Sequence, residues 1–352
     1  MVSFLDCIER VPEVLEGILK ERENYFSDLR RAVADRRIDE IIFIGSGTSN
    51  TSAVTSRPFV EKVSGLRTTV VTANEFMFQT FVRNPNALYV FTSQTGTSSF
   101  VRKAQKQFRD NGFLTAAISE SADTPLAKES GIFINMGCGY EEYPMRTIGY
   151  CASVFTQMLL GLEIGKLYGN LEEEVFNAYL EEASLAAGSN REVCSAALKW
   201  MDTARRRMFQ SQLIVFTGAG SMYGLALEGA MKVWETPQIA SVGYELEEGM
   251  HGPNYGYNYN HCVIVLNDGT EEQKGLSLAR WMKEVKGNGF VAGRNVVDDS
   301  DLKVELKTEN FTALELAPIV QIIAYRLAYD GGRDLFAPHD NSVMESYFKT
   351  HD

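Results

Sequence analysis

Short apolar runs alternate along this chain with longer stretches of helical periodicity. Residues 1–37 place Leu5, Ile8, Val11, Val14, Leu15 and Ile18 near a 3.6-residue spacing, which predicts helix. Residues 41–44 are then a continuous run of Ile and Phe, as in a strand buried on both faces, and Gly, Ser and Thr follow at once. Further strands are predicted at 68–72 (TTVVT), from 87 (ALYVFT), at 113–119 (FLTAAIS) and at 131–135 (GIFIN), with helical patterns such as 100–109 between them. Apolar strands separated by helices predict an α/β fold with a parallel sheet covered on both sides.

The pattern then recurs. LIVFTGAGSMYGLALEG (213–229) repeats the strand, Gly-x-Gly and helix of 41–53. IASVG (239–243) stands in the place of TTVVT, HCVIVLNDGTEE (261–272) in that of ALYVFTSQTGTS, GNGFVAG (287–293) in that of DNGFLTA, and LKVEL (302–306) in that of GIFIN. Five matches in the same order imply two copies of one unit. The expected organisation is N-terminal helices at 1–37, a first unit at 38–165, a helical linker at 166–210, a second unit at 211–335 and a tail at 336–352.

The 352 residues fit that reading, at ~150 per domain. The net charge of −12 argues against nucleic acid and anionic membranes as partners, so a phosphate ligand must be held by local donors. The longest apolar stretch, 148–162, is interrupted by Gln157 and closed by Glu163; at fewer than ~20 residues it reads as a buried helix. The N-terminus carries acids early and has no signal-peptide run. The five cysteines are scattered without CxxC, as expected for reduced thiols in a cytoplasmic protein. The histidines form neither HxxxH nor HExxH, and no metal or other cofactor is expected.

Two loops carry candidate chemistry. Residues 45–51 (GSGTSNT) and 93–99 (SQTGTSS) each follow a predicted strand, combine glycine with hydroxyls and open a helix. Ligands of an open parallel sheet sit at such strand ends. Backbone N–H groups, a helix N-terminus and hydroxyls together form a phosphate cradle without lysine, although Ser and Thr there also serve simply as helix caps. No GK[ST] follows, which excludes a Walker A loop, and Asn50 stands where a dinucleotide fingerprint needs glycine. The second copy, GAGSMYG and LNDGTEE, is poor in hydroxyls and is expected to have lost this role.

Glu228, Lys232 and Glu235 lie along one face of the otherwise apolar helix at 225–235. Charges on a buried helix are either paired as an interface stripe or used. His251 follows in EEGMHGPNYG, a loop fixed by Gly249, Gly252 and Pro253, where a histidine is either incidental or an acid/base near neutral pH.

Taken together, GSGTSNTSA, SQTGTSS, ALEGAMKVWE and EGMHGP in a two-copy α/β chain resemble the sugar isomerase (SIS) family, in particular the isomerase half of glucosamine-6-phosphate synthase and its fructosamine-6-phosphate deglycase relatives. The resemblance spans nearly the whole chain. It implies two tandem SIS subdomains, each a five-stranded parallel sheet flanked by helices, of flavodoxin-like type. It also implies that Thr48, Ser49, Ser93, Gln94, Thr95 and Ser98 bind the phosphate of a sugar substrate. Glu235 falls on the proton-shuttling glutamate, Lys232 on the active-site lysine and His251 on the ring-opening histidine. In the synthase that histidine comes from the neighbouring subunit, so a homodimer or larger assembly with shared active sites is expected.

Two departures shape the functional expectation. Val2 follows Met1 where the synthase's glutaminase half needs a cysteine nucleophile, so no glutaminase half is expected. Where the synthase has a Schiff-base lysine before Ser-Val, this chain has Asn341 before Ser342 and Val343, with Lys349 beyond. The resemblance then implies a phosphosugar deglycase or isomerase acting by C1–C2 proton transfer. An aldose–ketose isomerase or amino-sugar-phosphate deaminase would use the same parts. A non-catalytic sugar-phosphate sensor would need the loops but not Glu235 and His251.

Overall fold

In the computed structural model, which describes residues 2–78, 83–336 and 342–352, the apolar runs become ten parallel strands in two five-stranded sheets. Three helices come first: α1 (Phe4–Glu9), α2 (Val11–Tyr25) and α3 (Ser27–Val33). Pro12 explains the first break, since it has no N–H to donate one turn back. The first repeat then runs β1 (Glu40–Gly45), α4 (Thr48–Ser64), β2 (Arg67–Thr72), α5 (Ala73–Phe78), β3 (Ala87–Thr92), α6 (Ser99–Asp110), β4 (Leu114–Ser119), α7 (Pro125–Lys128), β5 (Ile132–Asn135) and α8 (Ile148–Leu167). The strand order is β2-β1-β3-β4-β5, so the winding reverses between β1 and β3. In such sheets that reversal opens a crevice at the carboxyl ends of the two strands.

Both faces of this sheet are sealed. On one, Phe76 of α5 packs against Phe91 of β3 and Phe108 of α6, with ring centroids 5.7 and 4.3 Å apart. The other carries α4 and α8. Every residue of α8 from Ile148 to Gly165 is buried; its length and apolar character would suit a membrane span, but protein encloses it. Glycine brings α4 and α8 close, since a Cβ at Gly165 would stand 2.2 Å from the Val63 carbonyl oxygen. The buried carboxylate of α8, Glu163, is bonded by Arg22 and by Arg30, the latter at 2.8 Å. That pairing offsets the cost of taking its charge out of water.

The second repeat follows α9 (Glu173–Phe209) as β6 (Leu213–Gly218), α10 (Ser221–Glu235), β7 (Ser241–Glu245), α11 (Pro253–Gly256), β8 (His261–Asn267), α12 (Glu272–Trp281), β9 (Gly289–Gly293), β10 (Leu302–Lys303) and α13 (Thr312–Asp330); α14 (Ser342–Tyr347) lies near the chain end. Its order, β7-β6-β8-β9-β10, duplicates the first. Two strands depart from the sequence reading by more than one residue. β7 starts two residues later than 239–243, because the Ile239 N–H donates to the Val233 carbonyl at the end of α10 and Gln238 takes a positive φ of 59°. β10 stops at Lys303 instead of reaching 306. Val304 donates once more to Gly293, but the N–H groups of Lys307 and Thr308 turn to the Glu315 carboxylate at 2.8 and 3.0 Å.

By contacts the chain forms two units. One comprises Val14–Leu180 with the last residues of the chain, the other Glu181–Phe336 with the residues up to Glu13. All five cysteines are buried and unbridged. Asn341, the position of the lysine departure, lies outside the described residues.

Candidate active site

The reversal between β1 and β3 holds a polar cavity of about 430 Å³, a volume suited to a small metabolite. Two turns build it. After β1, Gly47 caps α4 with φ 58° and ψ −132°, and a Cβ at Gly45 would meet Ser49 Cβ at 2.9 Å. The first turn of α4 can therefore fold directly over the strand end. After β3, Gly96 takes φ +65° with Thr124 packed against it, and its N–H closes a turn on the Ser93 carbonyl at 3.1 Å. The hydroxyls of this second loop bond in pairs, Ser93 to Ser98 at 3.1 Å and Thr95 to Thr97 at 2.8 Å.

All six residues read as phosphate ligands, Thr48, Ser49, Ser93, Gln94, Thr95 and Ser98, line this one cavity. Ser46 and Thr97 add further hydroxyls. The segment between β5 and α8 contributes Arg146, the first turn of α8 contributes Gly149, and the end of the chain contributes His351. Sequence reading missed Arg146 and His351; the guanidinium of Arg146 brings a positive charge to a cradle expected to have none, and His351 brings a ring nitrogen. Arg146 is held by the carbonyls of Glu141 and Tyr143, at 2.8 and 3.3 Å.

A buried carboxylate organises the same wall. Glu141 accepts from the N–H groups of Thr147, Ile148 and Gly149 at 2.7 to 3.0 Å, filling the N-terminus of α8, and from Gln94 Nε2 at 3.2 Å. The Gln94 side chain lies flat on Gly149, where a Cβ would come within 1.8 Å of its Oε1. Only glycine leaves Gln94 that position. Burial raises the neighbouring Glu120 carboxyl, against the opposing pull of Arg146.

In the second unit, Gly220 opens α10 with φ 57° and ψ −126°, the same device as Gly47. The loop after β8 spends its N–H groups on its own side chains, Gly269 on Asn267 and Thr270 on Asp268, both at 3.0 Å. An anion there would face the Asp268 carboxylate.

Along α10, Lys232 Nζ lies 3.0 Å from Glu228 Oε1 and 2.5 Å from Glu235 Oε1. The side chains of Lys232 and Glu228 are wholly buried, while that of Glu235 is 32% exposed. Burial alone would draw the lysine pKa down; the two carboxylates outweigh it and hold Lys232 well above the usual lysine range. The charged face is an ion-pair network, and its outermost member, Glu235, reaches solvent. Trp234 corrects the expectation of a largely buried helix end. It is half exposed, while its indole N–H donates to the Ser241 carbonyl at 2.5 Å.

His251 follows a short 3-10 turn and is exposed. Its Nδ1 lies 2.9 Å from the Glu247 carbonyl, and a hydrogen bond from Lys274 holds the Glu247 carboxyl below its usual range. The structure thus joins Lys232 to Glu235 and places His251 on a loop of its own, bonded to Glu247.

Comparison with known proteins follows the same lines. Residues 36–161 match the SIS domain. A glutamine–fructose-6-phosphate aminotransferase of Shouchella clausii is 26% identical over 348 residues, which cover 96% of this chain and 57% of that protein. The chain therefore spans little more than half the length of this curated relative. A protein of Clostridium difficile 630, described as a candidate phosphosugar isomerase, superimposes with a TM-score of 0.90 at 24% identity and full coverage of both chains. The C-terminal domain of a Francisella tularensis glucosamine-fructose-6-phosphate aminotransferase gives 0.80 at 23% identity, covering 96% of this chain and 98% of that one. Residues 36–161 thus match a SIS domain, the chain has the fold of solved structures described as phosphosugar isomerases, and nearly its whole length is similar to part of an aminotransferase of fructose 6-phosphate.

Proposed function

We propose that this protein is a deglycase that acts on a 6-phosphorylated 1-amino-1-deoxy-ketose of the fructosamine 6-phosphate type. The Ser/Thr loops after β1 and β3, with Arg146, grip the phosphate. His251 assists ring opening, which exposes the C2 carbonyl. Glu235 takes a proton from C1, giving an enolamine, and returns a proton to C2, which leaves C1 as an imine. Water adds to that imine and the carbinolamine collapses, releasing the amine and an aldose 6-phosphate. The overall change is a hydrolysis that needs no redox partner.

The observation that carries this reading is the state of Lys232. A nucleophilic amine must be neutral, and an ammonium buried between two carboxylates is held charged. With Asn341 before Ser342 and Val343, neither of these two positions supplies the amine for a Schiff base between protein and ketose. A proton-transfer route that ends in hydrolysis of the substrate's own imine does not require one.

The test is incubation with fructosamine 6-phosphates, fructose 6-phosphate and glucosamine 6-phosphate, with products identified by mass. Release of free amine and hexose 6-phosphate from the first class alone is the expected result. Interconversion of the simple ketose and aldose phosphates would instead make the protein an isomerase, and ammonia released from glucosamine 6-phosphate a deaminase. Binding without any product would make it a sensor.

The working form is proposed to be a cytoplasmic homodimer in which His251 completes the partner's site. Glu235→Gln and His251→Asn proteins would then be inactive alone. Subunit exchange between them should restore up to about half the native activity per mixed dimer, since one of its two sites carries both lesions and the other neither. Confirmed exchange with no recovery would assign both residues to one chain's site.

A further inference from the structure

The last three residues of the described chain are tied to the second hydroxyl loop. His351 forms an antiparallel bridge with Ser98. The Ser99 N–H donates to the Thr350 carbonyl at 3.1 Å, and the Asp352 N–H donates to the Thr97 carbonyl at 2.9 Å. The Asp352 side chain then takes two further bonds, from Ser99 Oγ and from Arg102 Nη1, each 2.8 Å. Arg102 is itself braced by Glu129 through Nη2 at 2.5 Å. Pairing on both sides of His351 fixes its backbone against the loop, and its side chain lines the cavity that holds Ser49 and Ser93. Thr350 Oγ1 lies 2.9 Å from Nδ1, which leaves Nε2 for a ligand.

We propose that residues 350–352 are a third wall of the anion site, with His351 as a recognition residue for the phosphoryl group and Asp352 and Arg102 as the residues that position it. The proposal rests on reading this cavity as a phosphate site. The chemistry follows from the lining. Hydroxyls and backbone N–H groups recognise a phosphoryl oxygen as neutral donors, and a charged donor roughly doubles the strength of such a bond. Arg146 supplies one from the β5–α8 side, and the His351 imidazole adds a further nitrogen donor from the chain end. Neither Asp352 nor Arg102 lines the cavity, so their influence on the ligand must pass through the placement of His351.

Calorimetry on the full chain with inorganic phosphate, fructose 6-phosphate and fructose separates the alternatives. His351→Ala is expected to weaken binding of the two phosphorylated probes by about five- to twentyfold, with His351→Gln recovering part of the loss as a neutral donor. Asp352→Ala should reproduce most of the effect, and the double variant should be no weaker than His351→Ala alone, because both changes remove one device. Ser49→Ala with Ser93→Ala is the control for the cavity and should cost at least about tenfold. If that control loses phosphate while His351→Ala keeps the native affinity, the third wall falls and the phosphate site stands. Additive losses from His351→Ala and Asp352→Ala would overturn the positioning role of Asp352. A native protein that binds both sugars equally, or a control pair that binds as the native does, overturns the phosphate reading and the third wall with it.

Discussion

Glu235→Gln is expected to lower kcat by a factor on the order of 10² to 10⁴ while leaving folding and sugar-phosphate binding intact. The structure makes this a clean substitution. Glu235 ends α10, is partly exposed, and gives one oxygen to Lys232 at 2.5 Å. A glutamine can offer its amide oxygen to the same ammonium, so the bond and the shape survive. What is lost is the capacity to accept a proton from carbon. Exchange of the C1 or C2 hydrogen with deuterated water should therefore vanish together with product formation, whereas calorimetric affinity for fructose 6-phosphate should stay near native. Native-rate exchange in the variant would mean that Glu235 is not the base, and that the charges on α10 serve only as an internal ion-pair network.

Much of this site is local in sequence, which is why it was legible there. A strand that ends in Gly-Ser-Gly-Thr announces both its burial and the turn that follows, and periodicity alone puts Glu228, Lys232 and Glu235 on one helical face. The repeat supplied the topology, since two copies of a β-α-β pattern leave few ways to order five parallel strands. What escaped was whatever depends on distant segments meeting. Arg146 is one cation in a loop, and only the fold shows that it turns into the cavity beneath the N-terminus of α8. His351 is separated from Ser98 by some 250 positions, and no periodicity links them. The shortened β10 fails for a related reason. LKVEL has the composition of a strand, but the N–H groups of Lys307 and Thr308, just beyond it, turn to a buried carboxylate of α13 and draw the chain off the sheet edge. Trp234 shows the same limit at one residue: it sits on an apolar helix, and the fold leaves its ring half exposed.

Removal of Lys232 should have the largest effect on stability. Lys232→Met keeps the stem of the side chain and deletes the charge, leaving Glu228 inside the protein and Glu235 at its edge without the ammonium between them. Glu235 can turn to water; Glu228, wholly buried, cannot. Breaking a buried pair from one side costs ~3–5 kcal/mol, mostly the cost of the stranded charge. All three tryptophans, Trp200, Trp234 and Trp281, lie in the unit that contains α10, so their fluorescence in a urea titration reports that unit's unfolding directly. The sign of the pH dependence identifies the cause. A stranded Glu228 has its folded pKa raised above its unfolded value of about 4.3, so the folded state is favoured below that pH and loses ground as pH rises through the raised value. The deficit of Lys232→Met relative to the native protein should therefore shrink on going from pH 8 to pH 5. Adding Glu228→Gln should recover much of it at pH 8, because an uncharged amide costs far less to bury than a carboxylate. The native protein loses stability in the same direction, but at far higher pH. The raised pKa of Lys232 gives stability that is complete below about pH 10.4 and is lost as pH climbs through the folded value. A deficit that is the same at both pH values, and is not relieved by Glu228→Gln, would place the loss in packing of the lysine stem instead of in its charge.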